Sequence, residues 1–92
     1  MSKALIIGAN SDIAFEFSKI LAKNNYNLIL ASRNMEELKD KKEFLESHSK
    51  ITCKIYYFDI EKFDTFKDFI SIIDLDIDTI LVSAGYLEKN EI

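Results

Sequence analysis

Leu5-Ile6-Ile7-Gly8-Ala9-Asn10-Ser11-Asp12-Ile13-Ala14 decides the fold: a short apolar run, a glycine turn, then the opening of an amphipathic helix. A junction of this kind offers free backbone N–H groups and a partial positive charge to an anion. A glycine at position 8 permits a sharp turn and a close backbone approach to a pyrophosphate. The local chemistry is that of dinucleotide binding. The general Gly-x-Gly-x-x-Gly fingerprint is met only in part, because Gly8 and Gly85 are the two glycines of the chain.

Outward from this junction, strand and helix patterns alternate without a linker or repeat. Strands are expected over residues 3–8, 27–32, 51–58 and 78–83, and helices over 12–24, 35–47 and 62–74. The first helix is read with Ile13, Phe17, Ile20 and Leu21 on one face. The second is read with Met35, Leu38 and Leu45 inward and Lys39, Lys41 and Glu43 outward. Asn34 and Glu37 have capping-box spacing and set the start of the second helix. Phe63, Phe66 and Phe69 recur at helical spacing and are read as core, not as a ring-stacking site. Tyr56 and Tyr57 alternate along a strand, so each faces one side of the sheet. Alternation of this order makes an α/β domain with a parallel sheet and right-handed crossovers. With no proline in the chain, turns fall to Asn, Asp, Ser and Gly.

Three segments resemble the short-chain dehydrogenase/reductase family, in the right order and each after an expected strand. Lys3 to Ala14 is similar to the opening Thr-Gly-x-x-x-Gly-Ile-Gly loop, with Gly8 at the first glycine, Asp12 at the second, Ile13 between, and Ala14 at the third. Asp59-Ile60 resembles the Asp-Val/Leu pair that contacts the adenine ring. Asp78-Thr-Ile-Leu-Val-Ser-Ala-Gly85 resembles Asp-x-x-x-Asn-Asn-Ala-Gly at the end of the fourth strand, with Ser83, Ala84 and Gly85 as conservative matches and Val82 in place of an asparagine. The resemblance implies a partial Rossmann fold of three layers, a four-stranded parallel sheet in the order 3-2-1-4, with helices one and two on one face and helix three on the other. Residues 1–92 then form a single nucleotide-binding domain, with Gly8, Asn10, Ser11, Asp12, Ile13, Ser32, Arg33, Asp59, Ile60, Ser83, Ala84 and Gly85 as the cofactor-binding set. Asp12 has a second reading, as part of the helix cap, because a carboxylate beside a pyrophosphate is repelled unless it points away.

The end of the second strand bears on the cofactor. An NAD site places an acid about twenty residues beyond the glycine loop, whereas here Asn27-Leu-Ile-Leu-Ala31 is followed by Ser32-Arg33-Asn34, with no carboxylate until Glu36. A hydroxyl and a guanidinium suit a ribose 2′-phosphate. NADP is therefore expected over NAD, the alternative for Arg33 being a solvated loop charge.

Composition limits the remaining classes. Apolar residues are 48% and charged residues 30%, with a formal net charge of −4. That balance argues against nucleic acid, which needs a basic face, and no apolar run has the length of a membrane span. A lone Cys53 suits a reducing compartment and a small buried hydrophobe, and a cytoplasmic location is expected. His48 has no neighbouring acid or nucleophile in sequence and reads as a residue at a helix end. Asp74-Leu-Asp76-Ile-Asp78 fails as a calcium loop, because Thr79 and Gly85 stand where glycine and glutamate are required; no metal is expected.

Chemistry is the missing part. The family works with a serine and a Tyr-x-x-x-Lys pair, but the residues four places beyond Tyr26, Tyr56, Tyr57 and Tyr86 are Leu30, Ile60, Glu61 and Asn90. The resemblance places those groups after the fourth-strand motif, so it implies a cofactor half-site that is inactive alone, with a small-molecule carbonyl or alcohol substrate only if the other half is present. The other readings are a non-catalytic dinucleotide-sensing or interaction module, and a receiver- or flavodoxin-like domain with Asp59 as acceptor. Strand four carries no lysine, proline or inward charge, so two chains are expected to associate through its edge.

Overall fold

The computed structural model describes residues 2–73 and 76–83, apart from the side chain of Phe63. Four strands, β1 (Lys3–Ile7), β2 (Asn27–Ser32), β3 (Cys53–Tyr57) and β4 (Thr79–Val82), form one parallel sheet in the order β3-β2-β1-β4. Helices α1 (Asp12–Lys23), α2 (Met35–His48) and α3 (Phe66–Ile72) connect them. Ala4, Leu5, Ile6 and Ile7 are all fully buried, as a central parallel strand covered on both faces requires. Alternate residues divide between two cores. Ala4, Ile6, Leu28 and Leu30 pack with α1 and α2, while Leu5, Ile7 and Ile29 pack with Phe58 and Phe69 on the α3 side. The expected order and layering are those observed.

Helix three departs from expectation in its first half. Ile60–Thr65 forms a 3-10 segment interrupted at Lys62 (φ −109°, ψ 48°), and the α-helix begins only at Phe66. Asp59 explains the start of this segment, since its carboxylate and carbonyl accept from the Glu61 and Lys62 N–H groups at 2.9 Å each. Phe69 is buried and Phe66 half-buried; the Phe58 ring lies 4.7 Å from Phe69 and 5.9 Å from Phe66. These aromatics are core.

Helix α1 turns a different face to the sheet than its apolar periodicity predicts. Its buried residues are Ala14, Ser18 and Ala22, whereas Ile13, Phe17 and Ile20 are 59%, 48% and 56% exposed. Small side chains let the helix lie close to β1 and β2, and the buried Ser18 hydroxyl is satisfied by donating to the Ala14 carbonyl at 2.8 Å. Leu21 is half-buried on the boundary between the two stripes. On α2, Leu38 and Leu45 are buried, and Lys39 and Glu43 exposed, as expected. Lys41 is not a free outward charge: its ammonium sits 5.3 Å from the centre of the Phe15 ring.

At the β3 edge, α2 supplies the partners a strand there lacks. Lys42 Nζ donates to the Cys53 carbonyl at 2.6 Å, and the Cys53 N–H donates to Glu46 Oε2 at 2.9 Å. That N–H, and after it the Lys42 ammonium 3.2 Å away, hold the Glu46 carboxyl below its ordinary value of 4.5 against an opposing effect of burial. A carboxyl depressed on folding stabilises the native state above its unfolded pKa, and that stability is lost as pH falls through the folded value. Glu46→Gln should therefore lower the melting temperature at pH 7 by an amount matching a few tenths of a kcal/mol, as befits a partly exposed group. The difference from wild type should shrink as pH falls below 4.5 and vanish below the lowered folded value, and a pH-independent difference in thermal melts would refute this account. Cys53 itself is fully buried, and burial pushes its thiol up to about 12, so it acts as a small hydrophobe.

Candidate dinucleotide site

The β1–α1 loop sits at the carboxyl end of β1, between the ends of β2 and β4. Gly8 has φ +76°, a conformation open to glycine, and a Cβ placed there would lie 1.7 Å from the Ser83 carbonyl oxygen. The glycine is thus demanded by the end of β4 as well as by the turn. The Gly8 and Ala9 N–H groups both donate to the Ala31 carbonyl, at 2.9 and 3.2 Å, and the Ser83 N–H donates to the Ile7 carbonyl at 2.8 Å. The loop is fastened to β2 on one side and β4 on the other.

Ser11, not Asp12, is the N-cap of α1. Its Oγ accepts from the Ala14 N–H at 3.1 Å and lies 2.7 Å from Ser83 Oγ, so the hydroxyl also ties the helix start to β4. Asp12 is the first helical residue and exposed, where a carboxylate suits the helix dipole. The first-turn N–H groups of Asp12 and Ile13 have no intrahelical acceptor and are the donors this end can offer an anion. The Ile13 side chain is largely exposed.

The second loop faces the first across a hollow of about 550 Å3 lined by Asn10, Ser32, Arg33, Asn34, Met35, Glu36 and Glu37. Asn10, Ser32 and Arg33 belong to the cofactor-binding set expected from sequence, and the structure brings them together here. Asn34 and Glu36, outside that expected set, also line the hollow, beside the α2 start that the cap signal at Asn34 locates. Asn34 caps α2 through Oδ1, which accepts from the Glu37 N–H at 3.2 Å, while its Nδ2 donates to Glu37 Oε1 at 3.3 Å. The return bond of a capping box therefore runs to the Asn34 side chain and not to its backbone, whose N–H points to Ser32 Oγ at 3.4 Å. Arg33 is exposed and forms no ion pair among the described residues.

Asp59 and Ile60 stand apart from this hollow. Asp59 is occupied in capping the 3-10 segment and lines a separate groove of about 310 Å3 with Tyr57, Lys62 and Phe69, and Ile60 packs against the α3-side core. The Phe58 N–H donates to the Ser32 carbonyl at 3.1 Å, which keeps the β3 end next to the second loop. Ala84 and Gly85 lie outside the described residues. Asp78 has a structural place, accepting from the Lys3 N–H at 2.9 Å and donating its own N–H to the Lys3 carbonyl at 2.9 Å. His48 stacks on Phe44 with 4.1 Å between ring centres, and its Nδ1 donates to the Phe44 carbonyl at 2.8 Å. It lines neither the hollow nor the groove. No helix among the described residues is long and apolar enough to cross a membrane.

No family model matches the chain. Over 57 residues it is 40% identical to a very-long-chain 3-oxoacyl-CoA reductase of Kluyveromyces lactis, an alignment covering 62% of this chain and 16% of that protein. Among solved structures, the bulky-bulky ketone specific alcohol dehydrogenase of Comamonas testosteroni superposes with a TM-score of 0.81 at 22% identity, covering 92% of this chain and 36% of the other. A short-chain dehydrogenase of Sphingobium yanoikuyae in complex with NADPH superposes with a TM-score of 0.76 at 20% identity, covering 87% and 32%. The fold is that of short-chain dehydrogenases over most of this chain, and the chain spans well under half the length of each protein it matches.

Proposed function

We propose that this chain is the nucleotide-binding part of a short-chain oxidoreductase acting on a carbonyl or alcohol, with NADP(H) preferred over NAD(H). The observation that carries the reading is the hollow where the β1–α1 and β2–α2 loops meet, with the Ser32 hydroxyl, the Arg33 guanidinium and the start of α2 on its wall. These donors suit the 2′-phosphate end of the cofactor, and the first turn of α1 suits its pyrophosphate. The NADPH bound to the Sphingobium enzyme supports a nicotinamide dinucleotide as the ligand. When bound, such a cofactor supplies the hydride; this chain's residues bind and orient it.

Titration calorimetry of the 92-residue chain should give weak binding of NADPH and weaker binding of NADH. Carbonyl reduction, followed through loss of NADPH absorbance, should stay at background, because none of its tyrosines has the lysine partner that proton donation in this family uses. Turnover by pure protein would overturn that expectation. A non-catalytic dinucleotide-sensing module remains the second reading, and binding without turnover in the complete gene product would favour it.

Self-association belongs to the same proposal. Among the described residues β4 pairs only with β1, and Ile80 and Val82 are exposed on it. The Ile13, Phe17 and Ile20 flank of α1 adds a second exposed apolar stripe. An unprotected edge of this composition favours pairing with a second copy. Ile80→Lys should shift light scattering toward monomer, whereas Lys39→Glu on exposed α2 should not; a wild type that stays monomeric at high concentration would refute the association.

A further inference from the structure

The Asn10 side chain reaches from the first loop to the second, and its orientation can be settled by chemistry. Its Nδ2 lies 2.7 Å from Ser32 Oγ and 3.2 Å from the Asn34 carbonyl oxygen. A carbonyl oxygen only accepts, so the atom facing it is the amide nitrogen and the amide cannot be turned round. The same nitrogen then donates its second proton to Ser32 Oγ. The Asn34 N–H also points to Ser32 Oγ, at 3.4 Å. A hydroxyl has two lone pairs and one proton. With both lone pairs engaged, Ser32 keeps its proton for a third partner, and the open side is the hollow it lines. The arrangement leaves Asn10 Oδ1 buried without a hydrogen-bond partner among the described residues. Turning the amide would satisfy that oxygen only by setting it against the Asn34 carbonyl.

We infer that Asn10 is a positioning residue for cofactor choice: it does not bind the phosphate but holds Ser32 as an obligate donor, suited to a 2′-phosphate. An NAD site needs the opposite, an acceptor for the ribose 2′-hydroxyl. A serine with a free lone pair could serve either ligand. A serine whose lone pairs are both taken offers only a donor, and phosphate oxygens are the stronger acceptors. This role rests on the reading that the hollow takes the 2′-phosphate end of NADP(H).

The test uses 2′,5′-ADP and 5′-AMP, which differ by that phosphate, titrated by calorimetry into wild type, Asn10→Ala, Ser32→Ala and the double variant. Wild type should prefer 2′,5′-ADP, and Asn10→Ala should reduce the preference about five- to tenfold while leaving the affinity for 5′-AMP within about twofold. In the Ser32→Ala background the same Asn10 change should leave the preference unaltered, because its effect runs through the hydroxyl. If Asn10→Ala does not fold, Asn10→Asp preserves the side-chain size and should reduce the preference at least as far, since a carboxylate takes the Ser32 proton. A preference unchanged by Asn10 substitution, or changed equally with and without Ser32, would overturn the positioning role while leaving the NADP(H) reading intact. A wild type with no preference would overturn both.

Discussion

Gly8→Ala should destabilise the protein by about 2–5 kcal/mol, combining the strain of a side chain at positive φ with overpacking of a filled site. Gly8 sits at φ +76°, and the new methyl would meet the Ser83 carbonyl oxygen at 1.7 Å, in a residue whose N–H donates to the Ile7 carbonyl. Relief requires moving the end of β4 away from β1 or reshaping the loop that carries Ser11. Domains of this size have roughly 5–15 kcal/mol in total, so the melting temperature should fall by on the order of 10–30 °C. Ala9→Ser, one position on, is the comparison. A Gly8→Ala melt within a few degrees of wild type would show that β4 does not pack on the loop as described.

Arg33→Ala should abolish most of the preference for NADPH over NADH, an effect of about 1–3 kcal/mol for a charge-assisted phosphate contact. Arg33 lines the hollow, is exposed, and makes no ion pair among the described residues, so no internal partner competes for it. Its electrostatic surroundings are mixed, because Glu36 and Glu37 line the same hollow. Glu37 is engaged by Asn34 and lies 3.9 Å from Lys41. Glu36→Gln should therefore move affinity the other way, tightening NADPH with little effect on NADH. Both changes should shrink with added salt, as expected for exposed charges. Equal affinities of the wild type for the two cofactors would remove Arg33 from the site.

The strand periods and the order of the elements were legible in sequence for a physical reason. Leu5-Ile6-Ile7 and Leu28-Ile-Leu-Ala31 are continuous apolar runs that only a strand buried on both faces can hide, and each is followed by turn residues and a capped helix. Asn34 and Glu37 announced the start of α2 because a cap is a local bargain between near neighbours. Asn10, Ser32 and Arg33, expected to share a site, line one hollow because the ends of β1 and β2 lie side by side in a parallel sheet.

Tertiary structure decided what depends on distance between elements. Periodicity favoured the Ile13, Phe17, Ile20 stripe of α1, yet the sheet takes Ala14, Ser18 and Ala22, because a helix packed that close needs small side chains. Gly8 read as a phosphate-facing glycine, and its neighbour proved to be the Ser83 carbonyl, 75 positions away in the chain. Asp59, expected from sequence beside the adenine ring, also accepts from the Glu61 N–H in a local turn. The amide nitrogen of Asn10, a residue expected in the cofactor-binding set, donates to Ser32 and Asn34 on the second loop. Local sequence determines which segments are strands, helices and caps; which face is buried and which donor is free are settled only when the β1, β2 and β4 ends come together, since those choices turn on contacts of a few ångströms between residues far apart in the chain.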